Sequence, residues 1–182
     1  DNGARLRNIV IVKKGGGAKA APSALSHDPA GEIVPDFALL NQDGKKVSLH
    51  QYRGKALLLT FIYTRCPLPE YCPLMTHNFA SIEKSLSKTP SLRGKTRLLS
   101  ISFDPQYDTP AILRSYARGY GQTTFDHWEF AALPAAATKD AASFFNILLA
   151  EQEGQISHSM CTAIISPQGS LYRIYHDSDW KP

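Results

Sequence analysis

No apolar run in this 182-residue chain approaches the roughly 20 residues that a membrane-spanning helix needs. The longest, Leu57-Leu58-Leu59-Thr60-Phe61-Ile62, falls far short, so no span is expected. Arginine-rich stripes are also missing: the net charge of +4 is spread along the sequence, which gives no indication of nucleic acid. The opening residues do not read as a signal peptide, so they do not state a compartment. Cysteine is scarce, with three residues in all. Apolar residues are plentiful: at 43% hydrophobic, the chain can bury a full core, and one domain is the natural count.

Two of the three cysteines fall in Phe61-Ile62-Tyr63-Thr64-Arg65-Cys66-Pro67-Leu68-Pro69-Glu70-Tyr71-Cys72-Pro73, where an apolar run ends in two thiols, each followed by proline. The run is rich enough in large and β-branched residues to be a strand buried on both faces. The thiols therefore leave the carboxyl end of a core strand, where open α/β folds place their chemistry. A helix turns about 100° per residue, so Cys66 and Cys72 cannot share one helix face. Pro67 and Pro69 favour extended backbone, and residues 66–71 are expected to form a loop. Pro73 suits the first turn of a helix, which places Cys72 at a helix N-terminus, where dipole and free amides favour a thiolate. The alternatives are a structural disulfide or two buried apolar thiols. A loop this short gives a stabilising cross-link little to gain, so a reactive or metal-ligating pair is favoured.

Together with Phe103-Asp104-Pro105, Asp108-Thr109-Pro110, His158-Ser159 and Ser166-Pro167-Gln168-Gly169, the cysteine stretch resembles the Sco/SenC proteins over roughly residues 33–180. The resemblance implies a thioredoxin-like domain outside the cytoplasm, periplasmic or membrane-tethered facing the periplasm, with any anchor in a full-length precursor. It implies copper, as Cu(I) or Cu(II), bound by Cys66, Cys72 and His158, and a role in assembling the copper site of a cytochrome c oxidase. The expected partner is the copper-site subunit of that oxidase or another extracytoplasmic cuproprotein. Family members typically hold three residues between the cysteines, whereas five stand between Cys66 and Cys72 here.

The residue chemistry points the same way, because thiolates select Cu(I) and imidazole suits Cu(II). A structural zinc site would want four protein ligands, and the nearby sequence offers only His77 as an addition. His158 directly precedes the expected strand at 160–166, on the loop where thioredoxins commonly carry a cis-proline beside their thiols. Cys161, inside that strand, reads as core. Asp104 leaves the strand 96–103 near the thiols, either to support the site by hydrogen bonding or to form, with Asp108-Thr109-Pro110, a turn that caps the next helix. His27, His50, His127 and His176 are scattered and read as solvated.

The fold class is α/β: a thioredoxin-like fold with a central mixed sheet flanked by helices and an N-terminal β-hairpin. Residues 1–12 read as a stray strand, a remnant of a preceding domain or an addition to a sheet edge; 13–31 as a linker; 32–182 as the thioredoxin-like domain. Within it, the hairpin spans 36–40 and 46–49 around Asp43-Gly44. Strand 56–63, helix 73–88, strand 96–103, helix 109–119, a short strand over 128–131, helix 138–149 and a closing hairpin of 160–166 with 170–175 follow. Two functions share the cysteine pair: a copper metallochaperone, or a thiol-disulfide oxidoreductase using Cys66 and Cys72 as its redox couple.

Overall fold

The computed structural model describes residues 29–122, 124–152, 155–177 and 180; the expected stray strand at 1–12 and most of the linker at 13–31 lie outside the described residues. A seven-stranded mixed sheet runs in the order β2-β1-β5-β4-β3-β8-β9. The hairpin β1 (Ala38–Asn41) and β2 (Lys46–Ser48) forms where Asp43-Gly44 called for it, with Gly44 at φ 72°, the left-handed region that glycine enters without penalty. β3 (Ala56–Ile62), β4 (Thr96–Ser102) and β5 (Trp128–Ala132) are parallel neighbours. β8 (Thr162–Ile165) runs antiparallel to β3 and pairs with β9 (Leu171–Tyr175) as the closing hairpin.

Both faces of β3 are buried, which is why its sequence is nearly continuous in apolar residues. Leu57, Leu59 and Phe61 enter one core beneath α4 (Ala135–Phe144), with Phe145 and Ala141. Leu58 and Ile62 enter the other, with Phe79 of α1 (Cys72–Ser87) and Leu113 of α3 (Pro110–Gly119), against Trp128 and Phe130. Burying each such side chain fully contributes about 1.5–3 kcal/mol before entropy is counted. A single turn, α2 (Pro90–Arg93), bridges α1 and β4. The crossovers through α1 and α3 return the chain to the amino ends of the strands, so the loops after β3 and β4 meet at one edge.

Two expectations need correction. The helix expected at 138–149 is α4, which starts three residues earlier, after Pro134, and stops at Phe144, with Asn146 in the left-handed region at φ 53° just beyond it. Leu149 instead opens a separate two-stranded ribbon, β6 (Leu149–Gln152) with β7 (Gln155–His158). His158, expected on a connecting loop, ends β7. Short apolar runs such as Ile147-Leu148-Leu149 fit either period, and pairing decided this one.

Candidate functional site

Cys66 follows β3 by four residues, and Cys72 is the first residue of α1, at the carboxyl edge of the parallel strands. His158 arrives from the far end of the chain on β7. These elements bring the Cys72 thiol to 3.6 Å from His158 Nε2. His158 Nδ1–H donates to the Ser159 carbonyl oxygen at 2.9 Å, which fixes the tautomer and leaves the Nε2 lone pair facing the sulfur. Burial holds the imidazole pKa below its usual value, so the ring stays neutral. Tyr63 and Phe103 clamp it edge-on, with ring centroids 5.9 and 5.5 Å away. Phe103 in turn stacks on Phe61 at 4.8 Å.

All three cysteines are free thiols. The hydrogen bond from Cys72 is the largest influence on Cys66, followed by partial burial, which opposes it, and by the amides of Leu68 and Cys72 and the Tyr63 phenol; together they bring Cys66 down to about 5. Cys72, 2% exposed, is pushed up by its bond to Cys66 and by burial. The thiolate expected on Cys72 therefore sits on Cys66: the amide at the helix start serves the neighbouring sulfur, while Cys72 is too deeply buried to ionise first. The Cys72 thiol faces His158 Nε2 as an acceptor. Among the described residues, no three His, Cys, Asp or Glu side chains form a ready-made metal-binding group.

This assignment has a kinetic consequence. Alkylation of Cys66 by iodoacetamide should change little between pH 6 and pH 8, whereas a thiol at the ordinary 9.0 would speed up by about 100-fold over those two units. A steep rise across that range, followed by peptide mass spectrometry, would place the thiolate elsewhere.

Two aspartates hold the cysteine loop. Asp108, fully buried, accepts from the Thr64 amide at 3.0 Å and from the hydroxyls of Thr64 and Ser102. Asp104 accepts from Arg65 Nε at 2.9 Å and Nη2 at 2.6 Å, and the guanidinium lies over the Tyr107 ring at 4.5 Å. The turn expected at Asp104 forms, with the Asp108 amide donating to the Asp104 carbonyl at 2.7 Å. The capping role does not: Thr109 is the N-cap of α3 and makes no side-chain cap bond, and Asp108 points into the cysteine loop. Sequence reading missed Tyr63 and the true role of Asp108, for which adjacency to the cysteine stretch was the one available signal.

The other candidates stay apart. Cys161 is buried core, its thiol 4.0 Å from the Phe145 carbonyl oxygen. His77 packs edge-on against Tyr120 at 4.9 Å and is part of no ligand group. His50 and His127, expected to be solvated, bond to the Val34 carbonyl and to Arg97 respectively. His27 lies outside the described residues, and His176 is exposed.

A thioredoxin-like sheet with two free thiols and a neutral imidazole at its carboxyl edge defines a class of soft-metal and redox proteins. The SCO1/SenC family model matches residues 26–182, and the chain belongs to that family. It is 31% identical over 161 residues to the SCO1 protein homolog of Bacillus subtilis (strain 168), covering 85% of this chain and 79% of the relative. A solved structure of BsSco, described as a cytochrome c oxidase assembly protein of the Sco family with a disulfide switch, superposes with a TM-score of 0.70 at 31% identity, covering 86% of this chain and 90% of that one. A SCO1/SenC family lipoprotein from Bacillus anthracis str. Ames gives 0.72 at 25% identity, covering 86% and 91%. Arabidopsis thaliana ScoI, solved with copper bound, shares the fold at a TM-score of 0.66 and 23% identity, covering 81% and 91%.

Proposed function

We propose that this protein carries copper to the copper site of a cytochrome c oxidase, holding the ion with Cys66, Cys72 and His158. The observation that carries the reading is the approach of a buried thiol to a tautomer-fixed imidazole, 3.6 Å from Cys72 Sγ to His158 Nε2, with the free thiol of Cys66 on the loop that leads into the same helix. Two sulfurs and one nitrogen suit Cu(I), and the same set accepts Cu(II). Cys66 sits on a turn-and-loop segment, so a small movement of residues 66–71 completes the ligand set. The two extra residues between the cysteines give that movement room. Copper leaves by ligand exchange, a client thiolate replacing Cys66 first because Cys66 is the more accessible sulfur. Leu68, Tyr71, Tyr107 and Leu148, all exposed, surround this end of the molecule and offer a client apolar contact. The kinship with a SCO1/SenC lipoprotein supports a position outside the cytoplasm, tethered to a membrane.

The low pKa of Cys66 favours a second reading, as a thiol-disulfide oxidoreductase. The Cys66 thiolate attacks a client disulfide and forms a mixed disulfide; Cys72 then displaces the client as a dithiol and leaves a Cys66–Cys72 disulfide. Loading with Cu(I) under reducing conditions, against a Cu(I) chelator, separates the two. A carrier retains one ion per chain and loses it in a Cys66→Ser/Cys72→Ser double variant. Stoichiometric thiol exchange with no copper retained would leave only the oxidoreductase.

A further inference from the structure

The end of the molecule opposite the thiols carries a concentration of positive charge that the proposed copper chemistry does not use. Lys55 precedes β3, Lys95 and Arg97 flank the start of β4, Arg93 ends α2, and Lys84 and Lys88 close α1. Because β3, β4 and β5 are parallel and α1 returns between β3 and β4, all six gather at the amino edge of the sheet. The seven residues of β3 put this edge roughly 20 Å from the cysteine loop. His127, just before β5, has its pKa lowered first by burial and then by Arg93, Arg97 and Lys55, so these cations crowd one another. Against them stand Glu83, bridged to Arg93 at 3.3 Å, Asp126, and Glu129, which accepts from Asn41 and Tyr52. Lys84 and Lys88 also complement the negative end of the α1 dipole, an explanation that does not extend to Lys55, Lys95 or Arg97.

Exposed apolar side chains accompany this charge. Leu92 in α2 is 55% exposed, Ile33 55% and Tyr172 67%. Ile33 bridges Ser170, and Tyr172 is the second residue of β9, beside the turn that follows β8, so both lie at the same edge as Leu92. The polypeptide also enters the described domain here: the Gly31 amide donates to the Leu171 carbonyl at 2.7 Å and the Val34 amide to the Gly169 carbonyl at 2.9 Å.

We propose that this basic, apolar-studded edge rests on an anionic phospholipid surface and holds the cysteine–histidine end facing away from it. Lysine and arginine near a membrane are drawn to anionic headgroups, and exposed Leu, Ile and Tyr suit the boundary between headgroups and acyl chains. A chain that enters the domain at this edge keeps the edge close to whatever membrane tethers it. The opposite end then stands free for a client in the aqueous phase.

Flotation of the 182-residue chain with phosphatidylcholine vesicles, with and without phosphatidylglycerol, tests the proposal. The chain should float with anionic vesicles, release them in high salt, and ignore neutral ones. Lysines outside the described residues add their own attraction, so the variants decide. Lys88→Glu/Lys95→Glu should weaken anionic binding about tenfold or more, and Leu92→Asp should weaken it as well. Lys46→Glu/Lys139→Glu, which makes the same change in net charge on β2 and α4, should leave it within about twofold of the parent. Equal losses in the two double variants would reduce the effect to net charge and overturn the proposal. So would undiminished binding by Lys88→Glu/Lys95→Glu, or retention on heparin without preference for anionic vesicles. Thermal unfolding of each variant checks that the fold survives.

Discussion

If His158 is a copper ligand as proposed, replacing it with alanine should lower Cu(I) retention by more than the roughly 10- to 100-fold that loss of an outer-shell partner costs. Thiol exchange with a small disulfide should stay close to the parent rate, since its nucleophile is Cys66, whose pKa is lowered chiefly by the Cys72 thiol rather than by the imidazole. The split between the two readouts is the informative part. A merely structural role for His158, wedged between Tyr63 and Phe103, would loosen the whole site and move both together. His158→Asn fills more of the space and should still lose copper. Equal chelator competition by parent and variants would remove His158 from the ligand set and, with it, the argument for copper over simple thiol chemistry.

The largest stability effect is expected at Asp108. Replacing this fully buried carboxylate with alanine leaves the Thr64 amide and the Thr64 and Ser102 hydroxyls without their acceptor. An unsatisfied buried group costs about 1–3 kcal/mol, in full for the buried Ser102 hydroxyl and in part for the half-buried Thr64 amide and hydroxyl, so a total loss of about 3 kcal/mol follows. For a chain of this size, each kcal/mol lowers Tm by about 2–4 °C, giving a drop on the order of 10 °C. The same bonds seat Thr64 two residues before Cys66, so the variant should also bind copper more weakly and lose the flat pH profile of Cys66 alkylation. Asp108→Asn separates charge from shape, because an amide offers fewer acceptors for three donors. Differential scanning calorimetry with copper titration would show both effects; an unchanged Tm would mean that Asp108 supports neither the loop nor the fold.

How much of this was legible beforehand differs from element to element. β3 was plain because burial on both faces demands an unbroken apolar run, and the β1–β2 hairpin because Asp-Gly suits a tight turn. Helix α1 announced itself through Pro73, which suits a first helical turn. The β6–β7 ribbon was hidden, since its residues fit helix and strand about equally and only their mutual pairing selects one. The location of the thiolate was hidden too. Sequence spacing correctly put Cys72 at a helix start, but ionisation depends first on how the two thiols meet and then on how deeply each is buried, both properties of packing.

The identity of the chemical groups was therefore a matter of sequence alone: two thiols after a core strand, a histidine nearly ninety residues later, and the order of strands and helices between them, because residue type and hydrophobic period are local properties. Their meeting was decided by the tertiary structure. β8 must lie antiparallel against β3, and β6 must pair with β7, before His158 reaches Cys72, and no local rule fixes contacts across 86 positions. The charged edge follows the same logic. Lys55, Lys88 and Lys95 are scattered along the chain and become one surface only because parallel strands return their amino ends to a common side.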